Sequence, residues 1–526
     1  MQRRLILAVT CLALTVLAHG ETPRTPGLRR LTVDATVQSG TLRSLQGVNG
    51  APGPGGHKPE YFTFGGWNMQ DSVDASKGYR WARIDLVRTH DAYGPTDIDA
   101  RFAIPRALIH ADRERFTIFP DLAADPDSPA SYRFGPSDRI MASIRELGAQ
   151  VIYRLGRSEG ADSRPPEDFA RYAAIARHIV LHYNQGWASG LHAGIRYWEI
   201  WNEPDLGQVF WSGTAQQYYD LYGKLARAVK QADSQAQVGG PAIAAPNDDS
   251  PYRDRFLDYV RAQQLPLDFY SWHWYATDSY DPLDFNRIAH DLRMRLDQHG
   301  LSQSKSFLTE WNYGLVSPPP TPLVRAAFIT TALIYMQDAP IDAATLYRGD
   351  NVFGADGQTP DKTGQALIAL GRMRETTRRL AVQGADQEGL AVQAGRSADG
   401  QRLQVLISNY EIPAAAMGAR QSGDVLHVPH AFDVQLLTRR TIHYHDNAGF
   451  DLTIKLDHPG RYWLERCRIT DRDDFSALDT EIQSSGSIRV LEQLPPPGVE
   501  LVTVRALKSS ERIPAGSLTW CRARTP

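Results

Sequence analysis

Apolar positions along the chain switch between short dense runs and longer stretches at helical spacing. Ile140, Ile144 and Leu147 share one helical face within 137–148, and Gly148 stops that helix. Residues 151–155 then form a dense run that predicts a strand, followed by a helix over 166–183 with Ile175, Ile179 and Val180 inward. Tyr218, Leu221, Leu225 and Val229 line one face of a helix over 214–233. The rhythm continues through strand 238–242, helix 251–264, strand 269–275, helix 287–300 and strand 307–310. Helix 323–337, strand 344–347 and helix 364–373 complete it. Earlier in the chain, 81–89 predicts a strand, and 46–56 a first strand opening into a glycine-rich loop. Repeated strand and helix predict a parallel sheet with flanking helices.

Beyond about residue 380 the pattern changes. The runs 390–393, 403–408, 425–428, 432–437, 452–456, 462–465 and 501–504 are short and bounded by turn residues, which predicts an antiparallel β-sandwich. Residues 31–37 alternate apolar and polar and predict a strand in a β-rich layer. The expected organisation is a leader and joining strand over 21–43, a (β/α)8 barrel over 44–376 and a β-sandwich over 377–526.

One run stands out within the alternating block. Residues 195–205 read Ile-Arg-Tyr-Trp-Glu-Ile-Trp-Asn-Glu-Pro-Asp. The aromatic and branched residues suit a buried strand, and Pro204 forces it to stop near Glu203. An amide and a carboxyl group therefore sit at the C-terminal mouth of a strand, where barrel enzymes keep their chemistry. Residues 305–314 end a second strand the same way, in Thr309-Glu310-Trp311. Strand counting places Glu203 on the fourth barrel strand and Glu310 on the seventh. A single glutamate at a strand end is as readily a salt bridge or a loop cap. Two of them, flanked by tryptophans across one cleft, suit glycosidic bond cleavage by a paired acid and nucleophile.

Composition narrows the setting. A chain of 526 residues holds two or three domains, or one large barrel with a small partner. Its net charge of -3 has no basic stripe, so neither nucleic acid nor an anionic membrane is an expected partner. Arg3, Arg4, the apolar run 5–17 and Ala18-His19-Gly20 have the form of a secretory signal over 1–20, so the expected location is periplasmic or secreted. Cys11 leaves with that signal. Cys467 and Cys521 then either pair and tie down the C-terminal tail or remain two buried thiols.

Trp-Asn-Glu-Pro followed by Thr-Glu-Trp resembles the retaining glycoside hydrolases built on a (β/α)8 barrel. The longer stretch 197–205, the strand end Val87-Arg88-Thr89-His90 and Ser271-Trp272-His273-Trp274-Tyr275 resemble glycoside hydrolase family 39, which contains β-xylosidases and α-L-iduronidases. The resemblance spans about 31 to 373. It implies Glu203 as general acid/base, Glu310 as nucleophile, and Asn202 as partner of the sugar 2-hydroxyl. It also implies His90 and His273 on sugar hydroxyls, Tyr275 on Glu310, Trp311 as an apolar wall, and Arg88 as support beneath the carboxylates. Such chemistry requires Glu203 protonated and Glu310 ionised in the free enzyme. The retaining geometry sets the carboxyl groups roughly 5–5.5 Å apart, against about 8 Å for inversion.

The chain also departs from the family. Arg154-Leu155-Gly156 on the third strand stands where many members carry a glutamate, an exchange expected to alter charge at the barrel mouth and substrate choice. No metal-binding or cofactor-binding motif is present, and none is expected. The expected substrate is an oligosaccharide or glycoside, and the expected activity is removal of terminal β-linked xylose. The alternatives are an α-L-arabinosidase, a β-glucosidase or an iduronidase-like enzyme, then an endo-glycanase or a non-catalytic carbohydrate-binding protein.

Overall fold

The computed structural model describes residues 27–53, 74–90, 95–99, 117–158, 163–247, 251–277, 279–314, 319–354, 356–414, 440–445, 447–508, 510–511 and 521. The expected signal 1–20, most of the leader and the expected strands 425–428 and 432–437 lie outside them, as does part of the loop in 46–56.

The described chain opens with β1 (Leu28–Thr41), which belongs to the accessory sheet. The barrel follows as β2 (Gly47–Asn49), α1 (Ser76–Ala82), β3 (Leu86–Arg88), α2 (Gly135–Leu147), β4 (Gln150–Leu155), α3 (Phe169–Gln185), β5 (Tyr197–Ile200) and α4 (Ala215–Ala232). It continues as β6 (Gln237–Ile243), α5 (Pro251–Ala262), β7 (Phe269–Tyr275), α6 (Asp284–Gln298), β8 (Lys305–Asn312), α7 (Pro322–Met336), β9 (Ala343–Leu346) and α8 (Lys362–Arg372). Strands β2 to β9 pair in chain order, all parallel, and β9 closes back on β2. The fold is a (β/α)8 barrel with an accessory sheet. Strands covered on both faces read as largely apolar runs, and all four residues of β5, its single acid Glu199 included, are buried accordingly.

Local chemistry sets the element ends. Thr214 and Gln217 form a reciprocal capping box that starts α4, and Gly148 ends α2 in the left-handed conformation (φ 77°). The predicted strand over 81–89 is shorter than expected. Trp81 and Ala82 finish α1, whose Tyr79 and Ala82 face the core, and left-handed Arg83 (φ 52°) separates that helix from β3. Ile152, Tyr197, Phe269, Phe307 and Ala343 form a separate apolar cluster at the N-terminal end of the barrel interior. The layers above it are polar.

The accessory part comprises β1, β10 (Arg378–Gln383), β11 (Leu390–Arg396), β12 (Arg402–Asn409), β13 (Gly449–Lys455), β14 (Gly460–Ile469), β15 (Asp474–Ser484), β16 (Ser487–Gln493) and β17 (Gly498–Ala506). These strands hydrogen-bond as one continuous nine-stranded sheet, antiparallel except where β1 runs parallel to β13. The sheet folds over on itself, because Leu31, Val392, Val405, Leu452, Leu464 and Ile488 from both halves share one apolar core. Arg466 and Arg468 on β14 pair with Glu492 on β16, although those strands lie far apart in the sheet order. The Cys467 and Cys521 sulfurs are bonded, with Cα atoms 5.7 Å apart.

Helix α7 is apolar around its circumference because it lies between barrel and sheet. Thr331 donates to Ser408 (3.0 Å), which in turn donates to the Ala327 carbonyl (2.9 Å). Arg372 of α8 meets Glu465 of β14 at 3.3 Å. Among the described residues no helix is long and apolar enough to cross a membrane.

Candidate active site

The mouth of the barrel is built on strained backbone. After β5 ends, Trp201 (φ 70°) and Glu203 (φ 43°) both adopt left-handed conformations, as does Ala242 (φ 54°) within neighbouring β6. None is glycine, so each conformation costs on the order of 1–3 kcal/mol and needs support from its surroundings. The Trp201 N–H donates to the Leu155 carbonyl (2.8 Å) and the Glu203 N–H to the Ala242 carbonyl (3.0 Å). The Trp201 ring lies so close to Gly156 that a Cβ there would meet it at 2.8 Å. Consequently Glu203 leaves the strand direction and points across the mouth.

Beneath it sits Arg88, at the end of β3 and fully buried. Its Nε donates to Glu199 Oε2 (2.6 Å) and its Nη1 to Glu310 Oε1 (2.6 Å) and Asn49 Oδ1 (3.2 Å). Its Nη2 donates to Asn202 Oδ1 (2.7 Å). Burial alone would lower the guanidinium pKa, but the charges of Glu199 and Glu310 outweigh that penalty and raise it. A buried cation persists only with such partners. Arg88 thereby joins β2, β3, β5 and β8 through one planar fork.

Glu310, near the end of β8, is gripped from two sides. Arg88 holds Oε1, and the Tyr275 hydroxyl donates to Oε2 at 2.8 Å. Burial, then the Glu310 charge, pushes the Tyr275 phenol well above its usual range, so it stays a proton donor. His90 Nε2 lies 3.8 Å from Glu310 Oε1. His273 sets its Nδ1 2.7 Å from Glu203 Oε1 and 3.7 Å from Glu310 Oε2. Burial, and then the charge of Arg88, holds His273 well below the usual histidine range, so the imidazole is neutral. Facing atoms of Glu203, His273 and Glu310 all lie within 4.8 Å of one another. Asn202 Nδ2 and His273 Nε2 are buried and have no partner among the described residues.

The structure thus brings Arg88, His90, Asn202, Glu203, His273, Tyr275 and Glu310 to one place. Trp311 is elsewhere. It is buried with its ring against Phe285 of α6 (centroids 5.3 Å apart), so it braces β8 from behind and forms no wall of the mouth. A strand alternates its faces, and the residue after an inward Glu310 points out. Arg154 adds no open charge at the mouth, because its Nη2 donates to Asp97 Oδ1 at 2.6 Å. The same nitrogen reaches Ser158 Oγ (2.9 Å), whose hydroxyl donates to the His90 carbonyl (2.9 Å). Sequence reasoning missed Glu199, Asn49, Asp97 and Asp205. A signal existed for Glu199 alone: a lone acid inside an apolar strand requires a buried cation.

Comparison with known proteins places this geometry in context. The model of glycosyl hydrolases family 39 matches residues 124–346. A beta-xylosidase of Caldicellulosiruptor saccharolyticus is 28% identical over 268 residues, covering 44% of this chain and 52% of that protein. The chain thus spans about half the length of that curated relative. A glucosidase from Croceicoccus marinus is 31% identical and covers 91% of this chain and 100% of that one, with a TM-score of 0.75. A monomeric beta-xylosidase from Caulobacter crescentus CB15 shares the fold at 16% identity and a TM-score of 0.63, covering 91% of this chain and 100% of that one.

Proposed function

The chain belongs to family 39 of the glycosyl hydrolases, and from that premise we propose that it is a retaining exo-glycosidase acting by double displacement. Glu310 attacks the anomeric carbon as the glycosidic bond breaks, while Glu203 delivers its proton to the departing oxygen. In the second step Glu203 takes a proton from water, and that water displaces Glu310 from the sugar. The observation that carries the reading is the approach of the two carboxylates within 4.8 Å, too close for the water-sized gap that inversion needs.

Their surroundings divide the roles. The cation of Arg88 and the phenol of Tyr275 both favour an ionised Glu310. Glu203 meets the neutral imidazole of His273, and a nearby Glu310 charge disfavours a second anion. Asn202 Nδ2 supplies a donor for the sugar 2-hydroxyl, with its oxygen fixed by Arg88. That bond strengthens as positive charge grows on the sugar, so it acts on rate as well as binding.

For the sugar, terminal β-linked xylose is the first reading, supported by the family and the curated relative. A β-glucosidase is the second, favoured by the glucosidase that is 31% identical along its whole length. Export to the periplasm or beyond is supported by the form of 1–20 and by a disulfide suited to an oxidising compartment. A panel of nitrophenyl β-xyloside, β-glucoside, α-L-arabinosides and α-L-iduronide tests the assignment. The highest kcat/KM is expected on the β-xyloside, with the β-glucoside next. Preference for an α-L-iduronide or for internal cleavage of a polymer would overturn the substrate reading.

A further inference from the structure

We propose that Asp205 is a positioning residue for Glu203: its carboxylate fastens the turn carrying Glu203 to the chain leaving β6, and so aims the acid/base. The inference rests on the assignment of Glu203 as acid/base. Asp205 is 2% exposed and lies two residues beyond Glu203, outside the cluster of groups that face the sugar. Its Oδ1 accepts the Ala244 N–H at 3.0 Å and its Oδ2 accepts the Ala245 N–H at 2.9 Å. These two amides follow the left-handed Ala242, whose carbonyl receives the Glu203 N–H.

Two strained chain ends are therefore stitched together at two points. One stitch is backbone, from Glu203 to Ala242. The other is the Asp205 side chain, bridging to Ala244 and Ala245. Left-handed Glu203 is unfavourable on its own, so without the second stitch the turn relaxes toward ordinary dihedrals and swings its carboxyl. Glu310 would not follow, because Arg88 and Tyr275 hold it from β3 and β7. The residue type fits the task. Two adjacent N–H donors need two acceptor oxygens, which a carboxylate supplies and an amide only half supplies.

Misplacing the proton donor has a signature that loss of folded protein lacks. Glycosides with poor leaving groups need the proton, whereas a 2,4-dinitrophenyl glycoside departs without it. In Asp205→Ala, kcat/KM on an alkyl or unsubstituted phenyl glycoside should fall by about 100-fold, the scale of one positioned acid. On the dinitrophenyl glycoside it should stay within about 3-fold, a change of under 0.7 kcal/mol. Asp205→Asn, which keeps one acceptor but sets its NH2 against the other N–H, should recover only part of the loss. Asp205→Ser serves the same comparison if the alanine variant does not accumulate. The dinitrophenolate burst counts active enzyme, so unfolded material cannot mimic the result.

Glu203→Ala, measured in parallel, separates the two claims. If Glu203→Ala loses equally on both substrates, the acid/base assignment fails. If Glu203→Ala shows the split while Asp205→Ala loses equally on both, or loses nothing, the positioning role fails and the assignment stands.

Discussion

Arg88 is the residue on which the site depends. One guanidinium donates to Glu199, Glu310, Asn202 and Asn49 at once, which no ammonium could reproduce from a single point. Arg88→Met should therefore lower stability by about 3–5 kcal/mol, the usual result of stranding buried carboxylates, and denaturant unfolding reads it. Tyr275→Phe is milder. It removes one hydrogen bond to a charged group, worth about 1.5–3 kcal/mol, and should reduce kcat by about 10- to 100-fold with the fold intact. Circular dichroism beside steady-state rates checks both halves of that expectation. At this scale the sequence revealed the ends of strands better than their middles. Glu203 and Glu310 showed themselves because each ends an apolar run. Trp311 misled because its facing depends on which neighbour points inward, and the β7–β8 pairing shifts register just before Glu310.

At the scale of elements, the turn after β5 governs how the site is held. Burial raises the Asp205 carboxyl to about 6 from an ordinary 3.8, while the bonds from Ala244 and Ala245 pull it back. A carboxyl whose pKa is raised by folding binds its proton more tightly in the native state. Its contribution is therefore fully present below about pH 4 and is lost as pH rises through about 6. The loss amounts to about 3 kcal/mol. Asp205→Asn should flatten that part of the stability profile, as urea titrations between those pH values will show; an unchanged slope would assign it to other groups. Apart from α1, whose last residues read as the start of a strand, helices and most barrel strands were legible from apolar spacing, to within a few residues at their ends. Strand β15 was not, because its mostly exposed, polar residues carry no clear alternation to read, and β10 was hidden by its two arginines.

Across the whole molecule, the barrel and the sheet form one body through α7 and α8. The alternation of strand and helix made the barrel legible. The short strands of the accessory sheet gave its sandwich character, but not their order, because that order is decided by pairings distant in sequence, such as β1 between β10 and β13. The Cys467–Cys521 bond closes a loop of 54 residues onto that sheet. Cys521→Ser should cost up to about 4 kcal/mol if the bond acts by restricting the unfolded chain. Dithiothreitol should then destabilise the parent protein and leave the variant unmoved.

The central claim is that Glu310 forms a covalent bond to the sugar while Glu203 manages the proton. Incubation with a 2,4-dinitrophenyl 2-deoxy-2-fluoro-β-xyloside tests it most directly, since the fluorine slows the second step and lets the intermediate accumulate. Mass spectrometry of the intact protein should show the gain of one fluorosugar, and peptide sequencing should place it on Glu310. A label on another carboxylate, or rapid turnover to a product of inverted configuration with no label, would contradict the account.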